Sequence, residues 1–234
     1  MDKIVFKKAI MKTSERHFTN HPFYRDMNEG RVSRTGIQLW AANRYYYQKT
    51  VPRKDSFILM NCTDEVIKNK VINRIMNYDE LQQVTAWWNF CKAVELPDKI
   101  LDSNQLVLPG VKFAVDNHLN FCKNSNFRDS LTTCVTDTFG PEFHNIRLEK
   151  WKKNYPWIES SGFEYFTKRN LERNNRTCDG DFIIDYILEH YKTQEEQIHA
   201  FSIINFKLNV MWCILDAVQL KYLFFNNLTF NESN

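Results

Sequence analysis

Glycine and proline are scarce in this chain, with six of each among 234 residues. A β-sandwich or barrel needs many short turns, and these two residues supply much of the backbone geometry that such turns require. The chain therefore favours long elements, and we expect an all-α fold, a compact bundle of about seven to nine helices. The apolar periodicity predicts helices at about 2–17, 33–49, 64–77, 80–95, 108–124, 126–139, 141–153, 160–191 and 194–225.

The size and composition of the chain predict one domain with nearly equal numbers of basic and acidic residues. Hydrophobic residues make up 43% of the chain, which is enough for one substantial core over about residues 1–225. The Asn-rich segment 226–234 is predicted to fray. The 31 basic and 28 acidic residues are spread along the chain, so we expect no nucleic-acid partner.

The cysteines and the apolar runs point to a cytoplasmic protein. Six cysteines lie far apart without a C-x-x-C pair, a pattern typical of thiols in a reducing compartment. The first dozen residues lack the apolar stretch of a secretory signal. The longest apolar run, Val210–Leu215, is far shorter than the roughly 20 residues that span a bilayer, so no membrane partner is expected.

Local signals mark where several helices begin. Ser33 and Thr63 stand where N-cap residues belong, while Pro109 and Pro141 fit the first helical turn, where a missing N–H costs nothing. The last helix is predicted to lie at the centre of the bundle, because it carries a continuous apolar stripe. That stripe consists of Ile204, Leu208, Met211, Leu215 and Val218.

Polar side chains also occur on helix faces that should be apolar. Arg44 and Gln48 follow Ile37 and Trp40 at spacings of three and four, so all four share one face. Further polar residues repeat this pattern: Arg74, His144, Arg147, Tyr165, Arg169 and Lys207. Each one alone is most simply a side chain that reaches solvent or pairs with a carboxylate. Together they supply positive charge without acidic residues on the same faces, which favours a pocket for a ligand with several carboxylates.

Several common catalytic motifs do not occur. The chain has no glycine-rich phosphate loop, no G-x-S-x-G and no H-E-x-x-H. One Glu-x-x-His pair, Glu196 and His199, is half of what a di-iron bundle needs and fits a solvated helix face better. We therefore expect no metal site.

Five longer segments carry a family resemblance: HPF at 21–23, WAANRYYYQ at 40–48, LPGVKFAVD at 108–116, YPWI at 155–158 and FKL at 206–208. Over about residues 17–222 the chain resembles the PqqC family, the cofactorless oxidases of pyrroloquinoline quinone synthesis. The resemblance implies a helical bundle like that of haem oxygenase and the thiaminase TenA, with an active site enclosed among the helices. By family precedent the protein would be a homodimer.

The resemblance also implies a substrate and a reaction. The substrate would be a small anionic quinonoid precursor, ring-closed and oxidised by O2 without metal or flavin, since it carries the redox chemistry itself. His144 would be the acid/base group, a role that suits imidazole. Arg74, Tyr78, Tyr165 and Arg169 complete the catalytic set implied by the match. The substrate-binding residues implied are Arg44, Tyr47, Gln48, Lys54, His118, Thr136, Arg147 and Lys207.

The chain departs from the family pattern in places. Tyr78 replaces a usual histidine, and the loop that follows it is shortened to 79–83. His118 stands where the family has a tyrosine, and could return an imidazole to the pocket from another side. His17 is one place out of register with the family's Tyr-His pair before HPF.

These departures leave alternatives open. The chain could be a related oxidase or oxygenase for another small anionic substrate, or a non-enzymatic carrier of the quinone. An iron-dependent relative of the chlamydial CADD type is a further possibility, although its late helix reads His-x-x-x-Asp-x-x-His. The present chain has Tyr165, Arg169 and Glu172 at those three positions.

Overall fold

A computed structural model describes residues 1–76, 79–139, 143–174 and 180–224. Within these ranges the chain is all-α, as predicted, and forms no strand. The helices are α1 (Lys3–Lys12), α2 (Pro22–Asn28), α3 (Arg34–Met60), α4 (Glu65–Met76), α5 (Asp79–Ala93), α6 (Asp98–Ser103), α7 (Pro109–Asn124), α8 (Phe127–Thr132), α9 (Phe143–Asn154), α10 (Glu164–Asn174), α11 (Gly180–His190) and α12 (Gln194–Phe224). Four short 3-10 turns lie between them: Thr13–Arg16, Phe18–Asn20, Thr133–Thr138 and Ser160–Phe163.

The count of twelve described α-helices exceeds the seven to nine expected. The short helices α2 and α6 were not predicted, because one or two turns carry too little periodicity to be recognised. The helix predicted at 160–191 starts later than expected, because Ser160–Phe163 is a 3-10 turn; residues 175–179, between α10 and α11, lie outside the described residues. The predicted tail 226–234 lies outside the described residues.

Helix α3 is longer than predicted. We expected it to end near residue 49, before Pro52, but it continues to Met60 with the proline inside. Proline removes one backbone hydrogen bond and costs about 3 kcal/mol within a helix. The extension is kept because the turns after Pro52 are packed in the interior, where Lys54, Asp55 and Ile58 are buried.

Two of the four predicted start signals, Ser33 and Pro109, agree with the structure. The Ser33 hydroxyl accepts a hydrogen bond from the Gly36 N–H at 3.3 Å, and Pro109 is in the first turn of α7. At α4, however, Asp64 rather than Thr63 is the cap, because its Oδ1 accepts from two backbone N–H groups at 2.9 and 3.0 Å. A carboxylate also suits the positive end of a helix. The fourth position, Pro141, lies outside the described residues.

Helix α12 joins two hydrophobic clusters, as its predicted central position requires. Ile204 and Leu208 belong to a cluster with α1 and α11, whereas Met211, Leu215 and Val218 belong to one built around α3 and α5. All five residues of the predicted stripe are buried. By length and hydropathy α12 could also cross a bilayer, but half of its most apolar window is buried in the protein, as in a core helix.

Candidate active site

Three buried polar side chains meet where α3, α7 and α12 pack together. The Lys207 ammonium donates to the Tyr47 hydroxyl at 2.6 Å and lies 3.4 Å from Nδ1 of His118. Each of the three side chains is less than one-tenth exposed. Tyr47 and Lys207 are 160 positions apart in the sequence and are direct neighbours in the fold.

His118 is held as a neutral ring. Burial lowers the pKa of His118 well below its ordinary value, and the positive charges of Lys207 and Lys54 lower it further. An ammonium group can only donate, so Nδ1 accepts from Lys207 and the ring proton belongs on Nε2. Within the described part of the chain, that buried Nε2 has no hydrogen-bond partner. His118 thus offers an N–H donor to a ligand oxygen.

Arg44 extends the same site along α3. Its guanidinium carbon lies 4.2 Å from the centre of the Tyr47 ring and 5.6 Å from that of Trp87. Its buried Nη1 makes no hydrogen bond to any residue in the described ranges. One turn further, the Gln48 amide donates to the side-chain oxygen of Gln83 on α5 at 3.4 Å.

Arg147 is enclosed by aromatic rings. Its guanidinium carbon is 4.5 Å from the ring of Trp151, 4.7 Å from those of Tyr24 and Trp40, and 4.9 Å from that of Phe166. Burial is nearly complete, at 2% exposure, and it lowers the pKa of the guanidinium. No described residue accepts from its Nε or Nη2. The rings stabilise the cation through their negative faces and leave its N–H groups available.

The charges in this interior are mostly uncompensated. Across the described ranges, no carboxylate forms an ion pair with Arg44, Arg147 or Lys207, which agrees with the lack of acidic residues on their faces. Lys54 differs, because its ammonium lies 2.6 Å from Oδ1 of Asp55. The site therefore combines one internal ion pair with three cations that an anionic ligand could neutralise.

The remaining predicted residues are placed less completely. Tyr165 is buried, and its ring packs edge to face against that of Trp87 at 4.7 Å between ring centres. It is also close enough to Arg147 to affect the pKa of the guanidinium. Arg169 is half-buried one turn later on α10. Thr136 is buried, but its hydroxyl donates to the Thr133 carbonyl at 3.4 Å. The roles of Arg169 and Thr136 stay predictions.

Three predicted catalytic residues lie wholly or partly outside the described residues. Tyr78 lies outside the described residues. Arg74 and His144 are on the backbones of α4 and α9, but their side chains also lie outside the described part of the chain. The assignment of His144 as the acid/base group stays a prediction.

Two further histidines have structural surroundings. His17 is buried beside Phe18, and its Nδ1 is 3.0 Å from the Thr19 hydroxyl. Burial lowers the pKa of His17 to about 4. His199 pairs with Asp129 at 2.9 Å, whereas Glu196 accepts from two backbone N–H groups and from an arginine. The Glu-x-x-His pair thus has separate partners.

The sequence reasoning missed several residues of the site. Tyr24 and Trp87 contact the arginines, Asp55 pairs with Lys54, and Cys134 accepts from Lys54 at 3.1 Å. In the sequence, Tyr24 and Trp87 look like ordinary core residues, because their spacing does not reveal which cation they contact. Asp55 was missed because neighbouring residues on a helix do not face each other.

Together, the fold and the site define a helical bundle with a cationic, aromatic-lined interior suited to a small anionic molecule. A family model described as the TENA/THI-4/PQQC family matches residues 9–217, and the chain belongs to this family. It is 38% identical over 226 residues to the pyrroloquinoline-quinone synthase of Pseudomonas aeruginosa strain LESB58, covering 95% of this chain and 89% of the relative. The synthase of Acinetobacter baumannii strain AYE is also 38% identical, over 93% of this chain and 86% of its own length.

Solved structures show the same fold at low sequence identity. A TenA homologue from Pseudomonas syringae pv. tomato superposes with a TM-score of 0.72 at 11% identity, over 89% of this chain and 88% of its own. A domain with a haem oxygenase-like fold from Shewanella denitrificans gives a TM-score of 0.74 at 13% identity, over 100% and 99% of the two chains. The predicted haem oxygenase and TenA-like fold is confirmed.

Proposed function

We propose that this protein is a pyrroloquinoline-quinone synthase of the PqqC type. It closes a ring in a carboxylated quinonoid precursor and oxidises the product with O2, in the last step of pyrroloquinoline quinone synthesis. The synthases that share 38% identity over nearly the whole chain support this activity. The experiment that tests this proposal also distinguishes two alternatives: an oxidase for another small anionic substrate, and a non-enzymatic carrier of the quinone.

The observation that carries the proposal is a set of cations without carboxylate partners, of which Arg147 and Lys207 are buried and Arg44 is half-buried. Burying a charge costs several kcal/mol unless it is paired, so a fold that keeps Arg44, Arg147 and Lys207 unpaired within its described residues gains their partners from a ligand. A precursor with several carboxylates and quinone oxygens supplies such acceptors. Guanidinium groups can bind carboxylates through two parallel hydrogen bonds.

The protein's own part in the reaction is to bind, orient and move protons. Arg44 and Lys207 both lie over the Tyr47 ring, at 4.2 and 4.5 Å from its centre, so both can hold one planar ligand near that ring. The Nε2–H of His118 donates to a substrate oxygen, and His144 serves as the acid/base group. We assign no resident metal or flavin, because the quinonoid substrate is the electron reservoir and O2 is the acceptor. The protein is proposed to act as a cytoplasmic homodimer without nucleic-acid or membrane partners.

A direct test mixes the purified protein with the precursor anaerobically, records the quinone absorbance, and then admits O2. The expected result is a spectral shift on binding, followed by O2 consumption and pyrroloquinoline quinone identified by mass. Lys207→Met should weaken binding by about tenfold or more, since a charge-assisted contact contributes about 1.5–3 kcal/mol. The control Lys92→Met removes an exposed lysine that pairs with Asp98 at 2.7 Å, and should leave binding unchanged.

Each other outcome has a definite meaning. Binding without O2 consumption indicates a quinone carrier or a changed substrate, and a panel of related carboxylated quinones separates the two. Activity that depends on added iron supports the CADD-like alternative. If the precursor causes no spectral shift at all, the synthase assignment is wrong and only the fold remains established.

A further inference from the structure

One buried contact joins two side chains that can react with each other. The Lys54 ammonium on α3 donates to the Cys134 thiol in the 3-10 turn Thr133–Thr138, at 3.1 Å from nitrogen to sulfur. Both side chains are buried, and Oδ1 of Asp55 lies 2.6 Å from the same nitrogen. Nitrogen and sulfur are therefore held almost in contact, with a carboxylate in position to take a proton from the amine.

A small cavity adjoins this pair. It is wide enough for about one water-sized molecule. Asp55, Lys70 and Cys134 line it together with five apolar residues, Ile58, Val71, Leu131, Phe182 and Ile183. Because most of this lining is apolar, the cavity is a suitable place for a small apolar molecule such as O2. Cys134 thus borders both the lysine amine and a place where an oxidant can reside.

We propose that O2 converts this contact into a covalent nitrogen–oxygen–sulfur bridge between Lys54 and Cys134. The thiol, the ammonium and one O2 yield the bridge, one water and one proton. The S–H bond and two N–H bonds break, and the S–O and N–O bonds form. Sulfur and nitrogen each lose two electrons, and O2 gains the four. One oxygen atom enters the bridge, the other leaves as water, and Asp55 takes the released proton.

The bridge would act as a reversible switch on the enzyme. It replaces the ammonium of Lys54 by a neutral nitrogen tied to Cys134. This consequence rests on the proposed function, in which Lys54 binds substrate oxygens, whereas formation of the bridge does not. Losing one charge-assisted contact should weaken substrate binding about tenfold or more. Two equivalents of a dithiol supply the four electrons that restore the amine and the thiol, the bridging oxygen leaves as water, and substrate binding returns.

The bridge is tested on the wild-type protein by peptide mass spectrometry. One sample is kept in oxygenated buffer and the other under argon with dithiothreitol, and both are digested without further reductant. In the oxygenated sample the Lys54 and Cys134 peptides should appear joined, with one oxygen more and two hydrogens fewer than the sum of the two. Dithiothreitol should release them. Cys91 and Cys122 are buried thiols that hydrogen-bond to the Ala41 carbonyl and the Thr133 hydroxyl instead of a lysine, so their peptides are internal controls.

Two variants give matched negatives, since Lys54→Arg and Cys134→Ser should each abolish the joined peptide. Oxygenated protein in which Cys134 is unmodified, or is oxidised without a link to Lys54, would overturn the proposal. The switch is then read under argon, after the dithiol has been removed, by comparing samples that were first oxygenated or reduced. Substrate affinity should be about tenfold weaker in the previously oxygenated wild type and unchanged in Cys134→Ser. A joined peptide in a protein that never binds the precursor would refute the proposed function and leave the bridge established.

Discussion

Replacing Arg147 by methionine should make the protein more stable and less able to bind its ligand. In the folded protein the guanidinium is 2% exposed, and its Nε and Nη2 have no acceptor among the described residues. An unsatisfied buried donor costs about 1–3 kcal/mol, so two cost about 2–6 kcal/mol. The surrounding rings return about 0.5–2 kcal/mol through cation–π contacts.

Methionine keeps much of what the arginine gives to the packing. It has a similar length, and its sulfur gains about 0.3–1.5 kcal/mol against an aromatic ring. The free energy of unfolding of Arg147→Met should therefore rise by about 1–3 kcal/mol. For a chain of this size each kcal/mol raises Tm by about 2–4 °C. Precursor binding should weaken at least tenfold, because a bidentate, charge-assisted contact is lost.

Urea unfolding followed by circular dichroism measures the stability, and quenching of tryptophan fluorescence measures binding. Arg34→Met is the matched control, because Arg34 also lies over an indole, Trp157, at 4.5 Å. Arg34 is exposed and pairs with Glu95 at 2.6 Å, so its loss should change stability by less than about 1 kcal/mol. If Arg147→Met lowers stability by more than about 1 kcal/mol while the control does not, the donors of Arg147 are satisfied in the folded protein and the reasoning fails.

Three further predictions follow from the same contacts. Lys54→Met removes the cation beside the buried Asp55 carboxylate and should lower the free energy of unfolding by about 3 kcal/mol, measured with urea. The double variant with Asp55→Leu should recover most of this loss. Equal losses in the single and the double variant would contradict the prediction. Burial lowers the pKa of His17 from 6.5 to about 4, so the unfolded chain binds the extra proton between these values. The contribution of neutral His17 to the free energy of unfolding is therefore fully present above about pH 6.5 and falls by about 1.4 kcal/mol per pH unit down to about pH 4. His17→Gln should flatten this slope when urea midpoints are measured against pH. An unchanged slope would show that His17 is not its source. Tyr47→Phe removes the acceptor of the Lys207 ammonium and should cost about 1–3 kcal/mol by the same assay, and no loss would mean that another group satisfies the lysine.

The long elements of the fold could be predicted because their signals are local. The apolar stripe of α12 and the Ser33 cap depend on residues within a few turns of one another. The continuation of α3 past Pro52 could not be predicted, since its cost is local and its compensation is tertiary. Helix α2 likewise gains its place from contacts such as the Trp151 N–H donating to the Asn28 side-chain oxygen at 2.9 Å.

For the site, the sequence could predict which cations face inward but not what surrounds them. A charge on an apolar stripe is visible from spacing alone, and Arg44 and Lys207 were found in this way. Three of the rings around Arg147 lie on other helices, so no spacing connects them to it, whereas Trp151 follows Arg147 by four residues on α9. Lys54 and Asp55 are adjacent on α3 and do not share a face at about 100° per residue, so their contact was not expected from helix geometry.

The kind of partner that holds each cation explains how the site can remain charged and still fold. A carboxylate would neutralise Arg147 and compete with the carboxylates of a ligand for the same N–H donors. An aromatic ring attracts the cation through its face but occupies none of those donors. Rings around Arg147 and beside Arg44 therefore reduce the cost of burial while keeping the charge available to a substrate. Lys54 alone is paired with a carboxylate, and that pairing gives its amine a proton acceptor that the ring-held arginines lack.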